Sequence, residues 1–195
     1  MRIFLHIGTG RTGTQALQDY LKRNGAGLDQ ADVLYPILER RNHHNALALP
    51  VCGPNLPRYL LNRYGGDVAA NMAAFETFFD EIEAQVRARN PATLVLSSEF
   101  LGREFPAERG ERLFARLRAL SDDITVLVYF RSPADYYLSA TLQTLKASGN
   151  LKHPNKQIAR RIIQSWEPLG ARMVIREYNR ATLLRELELE PSDTL

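Results

Sequence analysis

Short, nearly continuous apolar runs alternate along the chain with longer stretches in which apolar residues recur every three or four positions. The runs are Arg2 to Ile7, Val33 to Tyr35, Thr93 to Ser97, Ile124 to Phe130 and Arg172 to Ile175. Such runs suit parallel strands covered on both faces. Helical spacing predicts helices over Thr14 to Asn24, Ala69 to Arg89, Glu108 to Leu120, Asp135 to Ala147, Ile158 to Trp166 and Ala181 to Leu187. In the first, Ala16, Leu17, Tyr20 and Leu21 share a face and Gly25 is the expected stop. In the second, Met72, Phe75, Phe79, Ile82 and Val86 form the apolar stripe. Strand and helix in alternation imply one α/β domain over residues 1–195, with three α/β/α layers around a mainly parallel five-stranded sheet. The stretch Pro36 to Pro57 breaks the pattern, and its length marks it as a candidate acceptor-side loop.

Composition narrows the function classes. The 195 residues suffice for a substantial core, and the 45% hydrophobic and 24% charged fractions exclude disordered and fibrous classes. A net charge of +3 suits an anionic ligand. It is too small to argue for nucleic acid, and no nucleic-acid-binding motif accompanies it. The single cysteine, Cys52, excludes an internal disulfide and fits a cytoplasmic setting. Only His43 and His44 cluster, so no zinc-ligand spacing is present and no metal is expected. The first apolar run is too short for a signal peptide, and no stretch is long enough to span a membrane.

Two strand-to-helix junctions carry the candidate chemistry. The first reads HIGTGRTGTQALQ. A strand, a glycine-rich turn and a helix start aim backbone N–H groups at an anion. Gly8, Gly10 and Gly13 permit the turn, Thr12 and Thr14 add hydroxyls, Thr14 is a candidate helix cap, and Arg11 adds a permanent positive charge. A magnesium-triphosphate loop requires Gly-Lys followed by Ser or Thr. Here Gly13 is followed by Thr14 and Gln15, which weakens that reading while leaving the geometry for a phosphate. The second junction reads FRSPADYYLSATLQ, with Arg131 leaving the strongest strand, Pro133 starting a helix and Ser139 eight residues after Arg131. Ligands of open α/β sheets bind at the carboxyl ends of the strands, so both junctions face one crevice.

Together these two elements resemble the sulfotransferases that use 3′-phosphoadenosine 5′-phosphosulfate (PAPS), which have a P-loop nucleotide-kinase-like fold. The chain is most similar to bacterial members, which tend to read HIG…KTGT…LQ, then a His-His segment, SSE, and R-x-x-x-DY…S…Q…K. The matching residues here are His43–His44, Ser97–Ser98–Glu99, Arg131, Ser139, Gln143 and Lys146, and the resemblance runs from about Ile3 to Tyr178. It implies that Gly10, Arg11, Thr12, Gly13, Thr14 and Gln15 bind the 5′-phosphosulfate, and that Arg131 and Ser139 bind the 3′-phosphate. It departs from the family in having Arg11 where lysine is usual. The stretch Gly149 to Ile158 is short, and the cofactor-covering segment usual after the last strand is not evident in LLRELELEPSDTL.

The expected activity is transfer of a sulfuryl group from PAPS to a hydroxyl or amine of a small-molecule or glycan acceptor, leaving PAP. As in phosphoryl transfer, the protein mainly positions the group and neutralises developing charge. Arg11 would stabilise the leaving oxygen, and Glu99, ending its strand, is the favoured base, with His44 next. His6 and Trp166 are expected in the core, Tyr136 and Tyr137 in helix packing, and Cys52 has no evident activating partner. Two other readings stand beside this one: a P-loop nucleotide or small-molecule kinase, and a non-catalytic PAP-binding homologue.

Overall fold

The structure is a computed structural model that describes residues 1–38, 40–148 and 157–179, apart from the side chains of residues 140, 143, 144 and 146–148. The expected helix Ala181–Leu187, the side chains of Gln143 and Lys146, most of the stretch 149–158 and the tail lie outside the described residues. In chain order the elements are β1 (Arg2–His6), α1 (Thr14–Arg23), α2 (Gly25–Gln30), β2 (Val33–Leu34), α3 (Leu49–Cys52), α4 (Arg58–Tyr64) and α5 (Val68–Arg89). They continue with β3 (Thr93–Ser97), α6 (Ala107–Leu120), β4 (Ile124–Phe130), α7 (Pro133–Ser148), α8 (Ile158–Trp166) and β5 (Arg172–Glu177). Short 3-10 turns at Asn45–Ala48, Glu99–Leu101 and Glu167–Leu169 complete the set.

The five strands form one all-parallel sheet in the order β2-β3-β1-β4-β5. Central β1 pairs Leu5 with Leu96 and His6 with Ser97 on one side, and Leu5 with Val126 and His6 with Leu127 on the other. The loops leaving β1, β3 and β4 therefore emerge side by side at one edge. Alternation along the strands sends Ile3, Leu5, Leu94, Leu96, Val126 and Val128 to the main core. There they meet Phe75, Phe79 and Ile82 of α5, Leu113, Phe114 and Leu117 of α6, and Ile162 and Trp166 of α8. On the opposite face Leu17 and Leu21 of α1 pack with Tyr35 and Val95. The three-layer α/β/α architecture and the parallel sheet agree with the sequence expectation. Trp166 is a core residue, fully buried against Phe105 and Phe114.

Three local expectations differ. The first helix ends at Arg23 with Asn24 as its cap, and Gly25 opens α2 instead of stopping α1. Ala16 is exposed, and the buried face of α1 carries Thr14, Leu17, Gln18 and Leu21. The stretch Pro36–Pro57 is largely not a surface loop, because His44 through Cys52 are all buried in a 3-10 turn and α3. Ala46, Leu47, Ala48, Leu49 and Val51 of this stretch belong to the main core. A four-residue helix has no intrinsic stability, so tertiary burial holds it.

Gly102 holds the turn after β3 against the first loop. A Cβ there would lie 2.5 Å from the Ile7 carbonyl oxygen and 3.1 Å from Thr9 Cα, both backbone atoms that cannot swing aside. Gly10 has nothing within 4 Å of the corresponding position. Gly102→Ala is therefore expected to lower stability by about 1–3 kcal/mol in urea unfolding. Gly10→Ala should change it by less than about 0.5 kcal/mol.

Candidate active site

The first loop is fastened to the neighbouring strand end before it turns into α1. Tyr129 N–H donates to the Gly8 carbonyl at 2.9 Å, and Thr9 N–H donates to the Tyr129 carbonyl at 3.1 Å. The Thr9 hydroxyl donates to the same Tyr129 oxygen at 3.2 Å. Gly8 has φ +92°, with Glu99 Cα 3.1 Å from where its Cβ would be, so only glycine fits without displacing Glu99. The Thr12 and Thr14 hydroxyls both donate to the Thr9 carbonyl, at 2.5 and 3.3 Å. These hydroxyls shape the loop from within.

Thr14 is the first helical residue and not the cap. Gly13 occupies that position at φ 72°, with no side chain capping the helix. The first intrahelical bond runs from Leu17 N–H to the Gly13 carbonyl. The N–H groups of Thr14, Gln15 and Ala16 precede it and point out of the helix start, where the helix dipole favours an anion. Arg11 is exposed beside them and itself takes a left-handed φ of 72°, a conformation that costs a non-glycine residue roughly 1–2 kcal/mol. Gln15 is also exposed, and Gly10 is half-buried with open space around it.

The second junction emerges beside the first. Arg131 follows Phe130 at the end of β4, two residues beyond the Tyr129 that fastens the first loop. Its guanidinium lies 4.5 Å from the centre of the Tyr178 ring, whose backbone N–H donates to the Phe130 carbonyl at 2.7 Å. Arg131 Nε is buried and has no hydrogen-bond partner among the described residues. A buried donor left this way costs free energy until a ligand, water or side chain meets it. At the start of α7 the Ser132 hydroxyl accepts from Asp135 N–H at 3.2 Å and donates to the Asp135 carboxylate at 2.9 Å. Pro133 is the first residue of α7, as expected, and Ser139 sits half-buried in its second turn.

The end of β3 is organised around Ser97. Its hydroxyl lies 2.8 Å from His6 Nδ1 and accepts from Gln18 Nε2 at 3.0 Å. Its N–H donates to His44 Nδ1 at 2.9 Å, and its carbonyl accepts from His44 N–H at 2.8 Å. His44 Nε2 in turn donates to the Pro36 carbonyl at 2.8 Å. Next door, Ser98 N–H donates to the His6 carbonyl at 3.0 Å and the Ser98 hydroxyl donates to Asn45 Oδ1 at 2.9 Å. This network ties β1, α1, β3 and the His44 segment together directly beneath Glu99.

His44 therefore has a different place from that expected of a base. It is 1% exposed, boxed edge-on by Tyr35 and Phe78, with both ring nitrogens engaged. Burial lowers its pKa to about 4, and burial does the same to His6. His6 is a core histidine, as expected. Glu99, by contrast, is exposed; it does not end its strand as expected but opens the 3-10 turn two residues beyond β3, with its backbone against Gly8. His43, adjacent in sequence to His44, is half-buried against Tyr59, whose hydroxyl is 3.2 Å from His43 Nε2. The Tyr59 ring stacks on Phe100, the residue after Glu99, at 5.7 Å and 28°. No sequence pattern pointed to Tyr59 or Phe100. Cys52 does have a partner, Arg103 Nη1 at 2.7 Å from its sulfur, yet burial still raises the thiol pKa and keeps it protonated.

Among the described residues no three His, Cys, Asp or Glu side chains gather as metal ligands, and no helix is long and apolar enough to cross a membrane. Two of the solved structures that this chain matches are the following. One is the sulfotransferase domain from the curacin biosynthetic pathway, at 14% identity, covering 96% of this chain and 69% of that one with a TM-score of 0.48. The other comes from the PezAT chromosomal toxin–antitoxin system of Streptococcus pneumoniae, at 12% identity, covering 92% of this chain and 69% of that one with a TM-score of 0.40. No family model matches the sequence, and no curated protein matches it.

The two buried histidines set a pH dependence. Their folded pKa values, about 4, lie below the ordinary 6.5, so the unfolded chain binds more protons between those values. Their contribution to stability is full above the ordinary value and is lost as the pH falls through it towards 4. Urea unfolding at pH 5.0 should show a loss on the order of 2 kcal/mol per histidine relative to pH 7.5. In His44→Asn that pH-dependent loss should shrink by about half.

Proposed function

We propose that this chain is a sulfotransferase that takes a sulfuryl group from PAPS and passes it to a hydroxyl or amine acceptor. The observation that carries this reading is the joining of two separate cationic junctions at one sheet edge. The uncapped start of α1 with Arg11 lies on one side, and Arg131 with its unpartnered Nε on the other. The Gly8–Tyr129 and Thr9–Tyr129 hydrogen bonds fix the spacing between them. One phosphate would need one junction, whereas a nucleotide phosphorylated at both the 3′ and 5′ positions uses two.

The residues present fit that group. Backbone N–H groups of Thr12, Gly13 and Thr14 would hold the 5′-phosphate end, with Gly10 and Gln15 lining the same turn. Arg131 and Ser139 would hold the 3′-phosphate. PAPS, when bound, supplies the sulfuryl group, and its sulfur–oxygen bond to the 5′-phosphate is the one broken. Arg11, exposed beside the start of α1, would neutralise negative charge growing on the departing oxygen without giving up a proton. Glu99 takes the proton from the attacking acceptor. His44, held neutral with both nitrogens engaged, positions the backbone that carries Glu99 and transfers no proton.

Titration calorimetry with PAP and with Mg–ATP tests the reading. PAP should bind and Mg–ATP should not; tight Mg–ATP binding without PAP binding would overturn it. Arg131→Ala should weaken PAP binding by about 2 kcal/mol, roughly thirtyfold, through loss of one charge-assisted contact. Glu99→Gln should leave PAP affinity unchanged and reduce turnover by about a hundredfold or more, as loss of a general base does.

A further inference from the structure

We infer that the open edge of the sheet at β5 is a docking site for the chain's own C-terminal segment, Glu186–Glu190, which adds there as a strand antiparallel to β5. The inference goes beyond the sulfotransferase reading and does not depend on it. Three independent observations carry it.

The first is the edge itself. β5 is the last strand of the sheet, paired to β4 on one side and to no strand on the other among the described residues. It runs for 6 residues, whereas β2 at the opposite edge has 2. A long edge strand presents a row of N–H and C=O groups that template the addition of another strand. One face of β5 carries Met173 and Ile175, level with Val126 and Val128 of the main core, yet Ile175 is 48% exposed. The other face carries Arg172 and Arg176 on either side of Val174. Neither arginine meets a carboxylate among the described residues.

The second observation is the pattern ELELEP. Glu186, Glu188 and Glu190 alternate with Leu187 and Leu189, which is the period of a strand. The helical spacing of Ala181–Leu187 does not extend through it. In a helix Glu186 and Glu190 would repel as an i, i+4 pair, and Leu187 and Leu189 would not share a face. In a strand both leucines lie on one face and all three glutamates on the other. Beside β5 this sets the leucines against Met173 and Ile175, and the glutamates against Arg172 and Arg176. A slip of one residue would put leucine beside arginine, so the two faces together fix which way the strand lies. Pro191, with no N–H to give, ends the pairing.

The third observation is reach. Tyr178 N–H still bonds the Phe130 carbonyl, so the chain leaves the sheet at the end of β5. Residues 180–185 can span up to about 20 Å, and a neighbouring strand lies about 4.8 Å away. An antiparallel return is within that reach, whereas a parallel one needs a crossover of about a dozen residues or more. The added strand also bears on the site. It steadies the end of β5, where the Tyr178 ring lies 4.5 Å from the Arg131 guanidinium.

NMR on the isotope-labelled full chain tests the inference. Cross-strand contacts should join 186–190 to 172–177, and the β5 amides that do not bond β4 should exchange about a hundredfold more slowly than free amides. Leu187→Ser with Leu189→Ser should speed that exchange about tenfold and leave β1 and β3 unchanged, which separates a freed edge from an unfolded chain. Arg172→Glu with Arg176→Glu should speed it several-fold, and adding Glu186→Lys, Glu188→Lys and Glu190→Lys should restore it. Helical or unstructured chemical shifts at 186–190, or β5 exchange that the leucine variant leaves unaltered, would overturn the inference. Protection of β5 that disappears on dilution would overturn it too, because a second copy of the chain would then be the occupant.

Discussion

Ser97 is the point on which the carboxyl-end edge of the sheet depends. A single buried residue uses its hydroxyl, its N–H and its carbonyl to bind three other parts of the chain. Each partner group is itself buried, so each bond stands in for water that cannot enter. Polar groups inside a sheet edge are tolerated only when all are paired, and this network achieves nearly that. His6 Nε2 is the exception, buried without a partner among the described residues. The result is a β3 terminus held against β1, which fixes the backbone from which Glu99 projects two residues farther on.

The first loop divides labour between side chains and backbone. Its three threonines point their hydroxyls inward, two to the Thr9 carbonyl and one to Tyr129. Its amides are left facing outward at the helix start. A loop shaped by its own hydroxyls needs no metal ion to hold it in form, and a cradle of amides does not distinguish a phosphate from a sulfate by charge alone. Under the proposed function, discrimination would fall to what lies across the edge, at Arg131, and to the exposed arginine of left-handed φ at position 11.

Much of this was legible in the sequence, and the reasons are specific. Thr93–Ser97 and Ile124–Phe130 announce themselves because strands covered on both faces read as nearly continuous apolar runs, with Thr125 the one polar residue inside the second. The long stripe from Met72 to Val86 does the same for α5. The segment His44 to Cys52 was illegible because NALALPVC is too short for any period to emerge and contains a proline. Its structure is imposed by the core it enters. His43 and His44 looked like a pair, yet the chain turns between them, sending one ring to Phe78 and the other to Tyr59. The Arg131 junction could be read from a strand followed by Arg-x-Pro. The contact of Tyr59 with Phe100 could not, since it joins helix and turn across a long interval without periodic signal.

The fastening of Thr9 to Tyr129 joins positions 120 apart in sequence. The glycine-rich turn, though it reads as a local motif, is thus a product of the assembled sheet. An excised strand–loop–helix peptide would lack its neighbour and hold no anion in this geometry. During folding the loop-closure entropy of bringing β4 beside β1 must be met before the turn acquires its shape. Anion binding should accordingly arrive as one of the last events on the folding pathway. A bound anion would then act mainly by slowing unfolding and leave the rate of folding nearly untouched.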